Sequence, residues 1–598
     1  MREQAGFNIE RLAAELRDIF AELCVACEEQ AAYRYIVNYI ILRISEDTGR
    51  KTEFRLPEIG SAGSVLEKLH STLARSRYDF SIAAEKGLLG EIYENFLSRD
   101  TRKRLGLFYT PDSVIGFILE NTVGRADVVE NPYIKVLDPS CGSGYFLLKA
   151  YDILRKKFED SGEALVNKYG DAFRNLDIHC HIIRNCIYGA DIDEFGAAFT
   201  STALAFKGEG ASWCRPNVVV CDSLVKWEKE TAGEMASFWS TGFDCIVGNP
   251  PWVSLTRKQA KQLPEDRLAY YRSNYSGNSY LPNLYEYFLQ RSLELVRDGG
   301  SVGFLIPDRF AKNKQFVGYR RKILSEYNLR ALMFGISMEG VIADSMVMVI
   351  ENSFSHGNLT EVRSKAGMFR NPQKLMLVGE NCTFPSYSIE DCRLLLEDMH
   401  RNSVPLKQIA RSFTGFIGIK KNMTEHKTDS RQVPFVKGED VARYRTKGSR
   451  YYDISPQNII GGTRNAGRLK AKDKILVRKT GNRIVAAIDS CGYAPEQSLY
   501  GIIVKSPDFT AKYVLAILNS RLMEEYYVKF LVTNVNSTPQ LKKMDLDSIP
   551  IKNCPMEKQR QIGKIVDRLA AEYRQELQDE LDRMICEIYV SAADMPGN

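Results

Sequence analysis

The chain has 598 residues, enough for about four domains or fewer if one is large. Lys and Arg number 81 against 75 Asp and Glu, a net charge of +6, so any nucleic-acid surface is a local patch and not a global field. An ordinary aliphatic and aromatic content excludes wholesale disorder, and no apolar run approaches the ~20 residues of a membrane span. The 13 cysteines form no framework and no leader segment precedes them, which reads as reduced thiols in a cytoplasm. Cys24 and Cys27 sit in a helical pattern with no second pair, and the six histidines show no ligand spacing beyond His179/His181; no metal site is expected.

In chain order, residues 1–104 read as helices, with Leu12, Leu16, Ile19, Phe20 and Leu23 at helical spacing, and Leu89, Ile92, Tyr93 and Phe96 again. This stretch holds no Glu-x-Lys triplet, which counts against a nuclease of that type. From 105 to 355, short β-rich runs alternate with helices: Ile134–Leu137, Cys186–Ala190, Asn217–Val220, Cys245–Val247, Val302–Ile306, Ala331–Phe334 and Met346–Glu351. That alternation implies a mostly parallel α/β sheet. Residues 356–404 read as a linker. Residues 405–555 mix short strands, glycine turns and basic residues as an α+β domain. From 556 the tail reads as one helix, with Ile562, Ile565, Val566, Leu569, Tyr573, Leu577 and Leu581 along a stripe.

Chemistry-bearing residues gather at strand ends of the α/β region. Val136-Leu-Asp-Pro-Ser-Cys-Gly-Ser-Gly-Tyr-Phe146 is a strand, a glycine turn and a helix start; Gly142 and Gly144 let backbone approach a ligand closely. Asp191 ends a second strand, where a carboxylate accepts both hydroxyls of a ribose and Ile192 flanks an adenine. Asp222 ends a third, able to accept from an amino group. Asn249-Pro250-Pro251-Trp252 ends a fourth. Proline stops strand pairing and fixes φ, so the Asn249 amide oxygen and the Pro250 carbonyl together suit acceptance of both hydrogens of an exocyclic amino group, with Trp252 a stacking face. Taken singly, each of these is equally a turn, a helix cap or a core aromatic.

As an ordered set, with Gly106-Leu-Phe-Tyr109-Thr110-Pro111 before it and Asn283-Leu284-Tyr285 after it, this series resembles the γ-class N6-adenine DNA methyltransferases of type II or orphan restriction–modification type. The resemblance covers about 105–310, weakening to about 555. It implies a Rossmann-like S-adenosylmethionine-dependent methyltransferase sheet, preceded by the helical region and followed by a mixed α+β target-recognition domain. It also implies a cofactor site of Tyr109, Thr110, Asp138, Ser140, Cys141, Gly142, Gly144, Asp191, Ile192, Asp222 and Pro251, and catalysis by Asn249, Pro250, Pro251 and Trp252. Family members often place a second aromatic on the other face of the base; the corresponding segment here, Phe334–Ile342, has none in its later half, leaving Met338 or Ile342 for that wall.

Ser412–Gly418, Val436–Asp440, Arg478–Arg483, Gln497–Tyr500 and Lys512–Leu522 resemble such a recognition domain, with Lys420, Lys421, Arg443, Arg445, Arg478, Lys479, Asn482 and Arg483 as DNA contacts; Arg450 is a further candidate. Each basic residue is equally a solvated surface charge. The basic stretch 256–262 and the Tyr/Asn/Ser/Gly-rich stretch after it read as a mobile loop that orders over DNA. The expectation is a site-specific DNA adenine-N6 methyltransferase, a monomer on duplex DNA at the bacterial nucleoid, with a separate restriction endonuclease as a partner. The alternatives are the methylating part of a bifunctional restriction enzyme, a cytosine-N4 enzyme, a protein-glutamine or RNA-guanine methylase, and a non-catalytic DNA-binding subunit.

Overall fold

A computed structural model describes residues 8–49, 55–56, 63–74, 77–80, 90, 92, 95, 110–208, 214–255, 263–277, 282–338, 344–365, 367–377, 381–447, 450–531 and 539–589. The chain divides into two units, Met1–Tyr387 and Ser388–Asn598.

In the first unit the N-terminal helices follow their apolar spacing. Helix α1 (Ile9–Ala26) starts where the Asn8 side chain accepts the Arg11 N–H and buries Leu12, Leu16, Ile19 and Leu23. Helix α2 (Glu29–Thr48) ends at Gly49, whose φ of +68° suits a glycine stop. Of the second stripe, Ile92 is buried, and Leu89, Tyr93 and Phe96 lie outside the described residues.

All seven β-rich runs are strands of one sheet. They are β1 (Val136–Asp138), β2 (Ile187–Asp191), β3 (Asn217–Val220), β4 (Phe243–Gly248), β5 (Val296–Pro307), β6 (Asn328–Ile336) and β7 (Ser345–Glu351). Two more, β8 (Leu359–Ser364) and β9 (Gly367–Pro372), extend it, so the stretch read as a linker is partly sheet. Their alternating, half-exposed pattern hid them. The order is β3-β2-β1-β4-β5-β7-β6-β8-β9. Strands β1 to β5 run parallel, and β7 is inserted antiparallel between β5 and β6 (Val302 opposite Ile350, Leu332 opposite Met348).

Parallel central strands are buried on both faces, which is why β4 and the second half of β5 read as unbroken apolar runs. Helices α3 (Asp112–Glu120), α4 (Tyr145–Asp160) and α5 (Glu194–Ala205) cover them. The chain travels outward from β1 to β3 and returns to β4 on the other side of β1. That reversal opens a crevice at the carboxyl ends of β1 and β4, where open α/β sheets bind ligands. Against the expectation of unpaired thiols, Cys180 and Cys214 form a disulfide with a Cα–Cα distance of 5.7 Å, where the short helix Ile178–His181 before β2 meets the run before β3; Cys24 and Cys27 are free.

The second unit has a four-stranded antiparallel sheet, Ala410–Thr414, Leu499–Val504, Lys474–Arg478 and Ala486–Asp489 in spatial order. Ile475, Val477, Tyr500 and Ile502 share a core with the helices Ala511–Leu518, Met556–Ala571 and Gln575–Tyr589. The tail read as one helix is therefore two. Glu572 takes extended angles (φ −149°, ψ 120°), which turns Tyr573 out to 40% exposure while Leu577 and Leu581 stay buried. Among the described residues no helix is long and apolar enough to cross a membrane, and no cluster of His, Cys, Asp and Glu is arranged to hold a metal.

Candidate active site

The glycine turn is built from both sides. Gly144, at φ +84°, starts α4, and a Cβ on it would stand 2.7 Å from Thr200 Oγ1. Thr200, on α5, donates from that hydroxyl to the Gly142 carbonyl (2.7 Å). From the end of β2, Asp191 Oδ2 accepts the Gly142 N–H and Oδ1 the Asp193 N–H, both at 2.8 Å. The turn between β1 and α4 is thus fastened by its neighbours, and Ser140 presents a buried Oγ that has no partner among the described residues. The Ile192 amide also acts on this carboxylate, and a carboxylate's four acceptor places leave it spare capacity for a ligand hydroxyl. Thr200 had no signal in the sequence, because an interior helix threonine reads as core filler. Tyr109 lies outside the described residues.

Electrostatics single out this turn. Asp138, 2% exposed, is pushed up to about 8, first by burial and further by the Asp191 charge, against the opposing Ser140 N–H bond. Burial likewise carries Asp191 up to about 6, against the amides of Asp193 and Gly142, and raises the Cys141 thiol well above its ordinary value. Burial thus favours the neutral form of the Asp138 carboxyl. Its folded pKa exceeds the ordinary 3.8, so the folded state binds more protons than the unfolded one between about pH 4 and 8, and stability falls as pH rises through that window. Asp138→Asn keeps an acceptor for Ser140 without the titration. Melting temperatures of the wild type are expected to fall more steeply from pH 5 to 8 than those of the variant, whereas parallel profiles exclude this assignment.

Asp222 lies two residues past the end of β3 and shares a cavity of about 580 Å³ with Ile192, Val220, Trp227, Arg267 and Tyr270. Ile192 is 49% exposed there, an apolar side chain about half open to solvent. The stretch after 262 is not a bare loop: Glu265–Asn274 is a helix, α6, and it brings Arg267 and Tyr271 onto Asp222. Neither was recognisable in the sequence, since both fall in a polar tyrosine-rich run. Residues 256–262 lie outside the described residues.

At the end of β4, Gly248 has φ +154°, and a Cβ on it would stand 2.7 Å from Asp138 Oδ1. That contact brings the Asp138 carboxyl against the backbone just before Asn249. Asn249 Nδ2 donates to the buried Thr110 Oγ1 (3.2 Å), which turns the amide oxygen the other way; Oδ1 is buried and has no partner among the described residues. No described N–H donates to the Pro250 carbonyl either. Among the described residues, two acceptors on adjacent positions therefore stand unused next in sequence to Trp252, which is half-buried against the main core. Of the two candidates for the opposite wall, Met338 is buried and Ile342 lies outside the described residues; Phe334, earlier in that segment, is half-buried in β6.

In the second unit, the basic residues sort by partner. Arg445 donates to the Ala570 and Ala571 carbonyls at the end of a helix, and Arg443 donates to the Asn519 carbonyl with its guanidinium over the Tyr573 ring. Arg450 pairs with Glu425, Glu439 and Asp440, Arg483 with Glu524, and Arg478 reaches the Glu439 carbonyl. Lys479 lies over the Tyr500 ring, and burial lowers its pKa. Lys420, Lys421 and Asn482 are exposed.

Comparison with known proteins agrees with this layout. Residues 185–337 match the Eco57I restriction–modification methylase family, and residues 433–551 the TaqI-like C-terminal specificity domain. The type II restriction enzyme and methyltransferase RM.Eco57I of Escherichia coli is 28% identical over 322 residues, 46% of this chain and 31% of its own. The adenine-specific methyltransferase PglX of Streptomyces coelicolor is 27% identical over 273 residues, 38% of this chain and 21% of its own. The chain thus spans under a third of either relative. The structure of the type IIL restriction–modification enzyme MmeI, solved with DNA, superposes with a TM-score of 0.65 at 13% identity, covering 100% of this chain and 98% of that one, and so shares the fold. Residues 185–337 thus carry a methylase domain of the Eco57I restriction–modification type and residues 433–551 a TaqI-like specificity domain, and the chain is similar to type II restriction–modification methyltransferases.

Proposed function

We propose that the chain is a site-specific DNA adenine-N6 methyltransferase that draws its methyl group from S-adenosylmethionine. The observation that carries this reading is the pair of unused acceptors, Asn249 Oδ1 and the Pro250 carbonyl, next to Trp252. An exocyclic amine is a poor nucleophile while its lone pair is delocalised into the ring. Two acceptors that draw its hydrogens out of the ring plane favour a tetrahedral nitrogen with a directed lone pair. This is catalysis by positioning and preorganised dipoles, with no shifted base needed to begin.

The cofactor fits the residues present. The Asp138–Gly144 turn offers a glycine cradle and the orphaned Ser140 hydroxyl, Asp191 has spare acceptor capacity, and the Ile192–Asp222 cavity matches a flat amino-bearing ring. When bound, it supplies an electrophilic methyl on sulfur: the N–CH₃ bond forms as the S–CH₃ bond breaks, and the amine's extra proton passes to solvent. Adenine is out of reach inside a duplex, so it flips at a cost of a few kcal/mol. Stacking on Trp252, worth about 1–3 kcal/mol, offsets much of that.

PglX, named adenine-specific, favours the adenine reading. The specificity-domain match and the exposed Lys420, Lys421 and Asn482 support duplex DNA as the substrate. The enzyme acts as a monomer on DNA in the bacterial cytoplasm, within a restriction–modification or phage-defence system. Transfer of labelled methyl to duplex DNA, followed by nucleoside analysis, tests the reading: label in N6-methyladenine supports it, and label in N4-methylcytosine or in protein sinks it. Thr110→Val removes the acceptor that orients Asn249 and is expected to lower kcat about 10- to 100-fold, while Thr110→Ser stays near wild type. Equal rates in the two variants exclude this role for Thr110.

A further inference from the structure

The chain leaves the target-side motif at Trp252 and returns to it at Asn283. Leu255 N–H donates to the Pro282 carbonyl (2.8 Å) and Leu284 N–H to the Val253 carbonyl (3.0 Å), which closes the excursion immediately after Trp252. Its helix α6 packs onto the segment that follows β3. That strand is three steps from β4 in the sheet order, roughly 14 Å at strand spacing.

There the Tyr271 hydroxyl donates to Asp222 Oδ2 (2.7 Å), and Arg267 Nε stands 3.3 Å from the same oxygen. Tyr271 is 3% exposed, and burial, then the Asp222 charge, raises its pKa, so the hydroxyl stays a donor across the working range of pH. Lys226 N–H donates to Tyr270 Oη (2.9 Å) and Tyr275 donates to the Leu224 carbonyl, fastening the same helix to the segment after Asp222.

Among the described residues, the other carboxylate oxygen, Oδ1, accepts the Leu224 N–H (3.0 Å) and no other donor. A carboxylate oxygen accepts about two hydrogen bonds. Oδ2 is engaged by the Tyr271 hydroxyl with the Arg267 guanidinium paired beside it, and Oδ1 keeps an open place among the described residues.

We propose that Arg267 and Tyr271 are positioning residues of the nucleoside subsite. They occupy Oδ2 and hold Asp222 so that Oδ1 presents its open lone pair to the amino group of the cofactor's adenine. This rests on the reading that the Ile192–Asp222 cavity takes the adenosyl end of S-adenosylmethionine. It gives the excursion that starts at the target-base motif a share in cofactor recognition.

Binding of S-adenosylhomocysteine and of its inosine counterpart, with a 6-oxo group in place of the amine, to the full chain tests this by calorimetry. The wild type is expected to prefer the adenosyl ligand by about tenfold or more, the value of a hydrogen bond to a charged acceptor. Tyr271→Phe keeps the ring and its edge contact with Tyr287, and Arg267→Ala removes the second donor. Both are expected to reduce that preference to about twofold, chiefly by weakening the adenosyl ligand, and Arg267→Lys to recover most of it. Variants that weaken both ligands equally, as a merely structural helix would, overturn the proposal, as do variants that leave the preference intact. A wild type that binds neither ligand overturns the cofactor reading itself, a result distinct from failure in the variants alone.

Discussion

Asn249→Ala is expected to lower methyl transfer by about a thousandfold or more while S-adenosylmethionine affinity changes by less than about threefold. The amide sits at the end of β4 with its nitrogen spent on Thr110, so truncation removes an acceptor aimed at the target and nothing that faces the cofactor cavity beyond β2. The loss should fall on kcat, because the bond to the target amine matters most when nitrogen becomes tetrahedral. Asn249→Asp and Asn249→Ser separate this from a packing effect. Both leave an oxygen near the same place and should retain more activity than alanine. Single-turnover kinetics on duplex DNA together with cofactor titration check the pair of outcomes, and turnover within tenfold of wild type in the alanine variant would falsify the assigned role.

The second large effect is on stability. Gly248→Ala places a Cβ 2.7 Å from Asp138 Oδ1 at a φ of +154°, which L side chains rarely adopt. Both strands are central, β1 pairing directly with β4, so neither backbone can retreat without breaking ladder bonds. The expected cost is about 3 kcal/mol, read as a lower urea midpoint at an unchanged m-value. Combining it with Asp138→Ala relieves the clash but not the backbone strain. The two changes should therefore sum to less than their separate costs by about 1 kcal/mol. Strict additivity, or an unshifted midpoint in Gly248→Ala alone, would mean that Asp138 and Gly248 do not touch as described.

These predictions differ in how far they could be foreseen. Asn249 stands out in a sequence because prolines after an apolar run announce a strand end, and the three preceding acids announce others in the same sheet. Gly248 does not. Its need for glycine arises from a carboxyl 110 positions earlier on a neighbouring strand, and nothing local marks it. Tyr271 is hidden more deeply still, because its partner Asp222 lies at the far side of the sheet and the run around it is polar enough to pass for a loop. Arg443 and Arg445 have the composition of nucleic-acid contacts, yet their guanidiniums are used on backbone carbonyls of the same unit. Charge in a sequence says nothing of which neighbour consumes it.

By itself the sequence determined the alternation of strands and helices, the parallel core of the sheet, the carboxylate-ended strands and the Asn-Pro-Pro-Trp terminus, because periodicity, proline and glycine act within a few residues. Only the tertiary structure decided the antiparallel insertion of β7, the two strands added from 356–404, the raised pKa of the buried Asp138, the orientation of Asn249 by Thr110 and the grip of α6 on Asp222. Each of these depends on groups far apart in the chain meeting where water is excluded, and burial and partner identity are properties of the packed molecule, not of any segment.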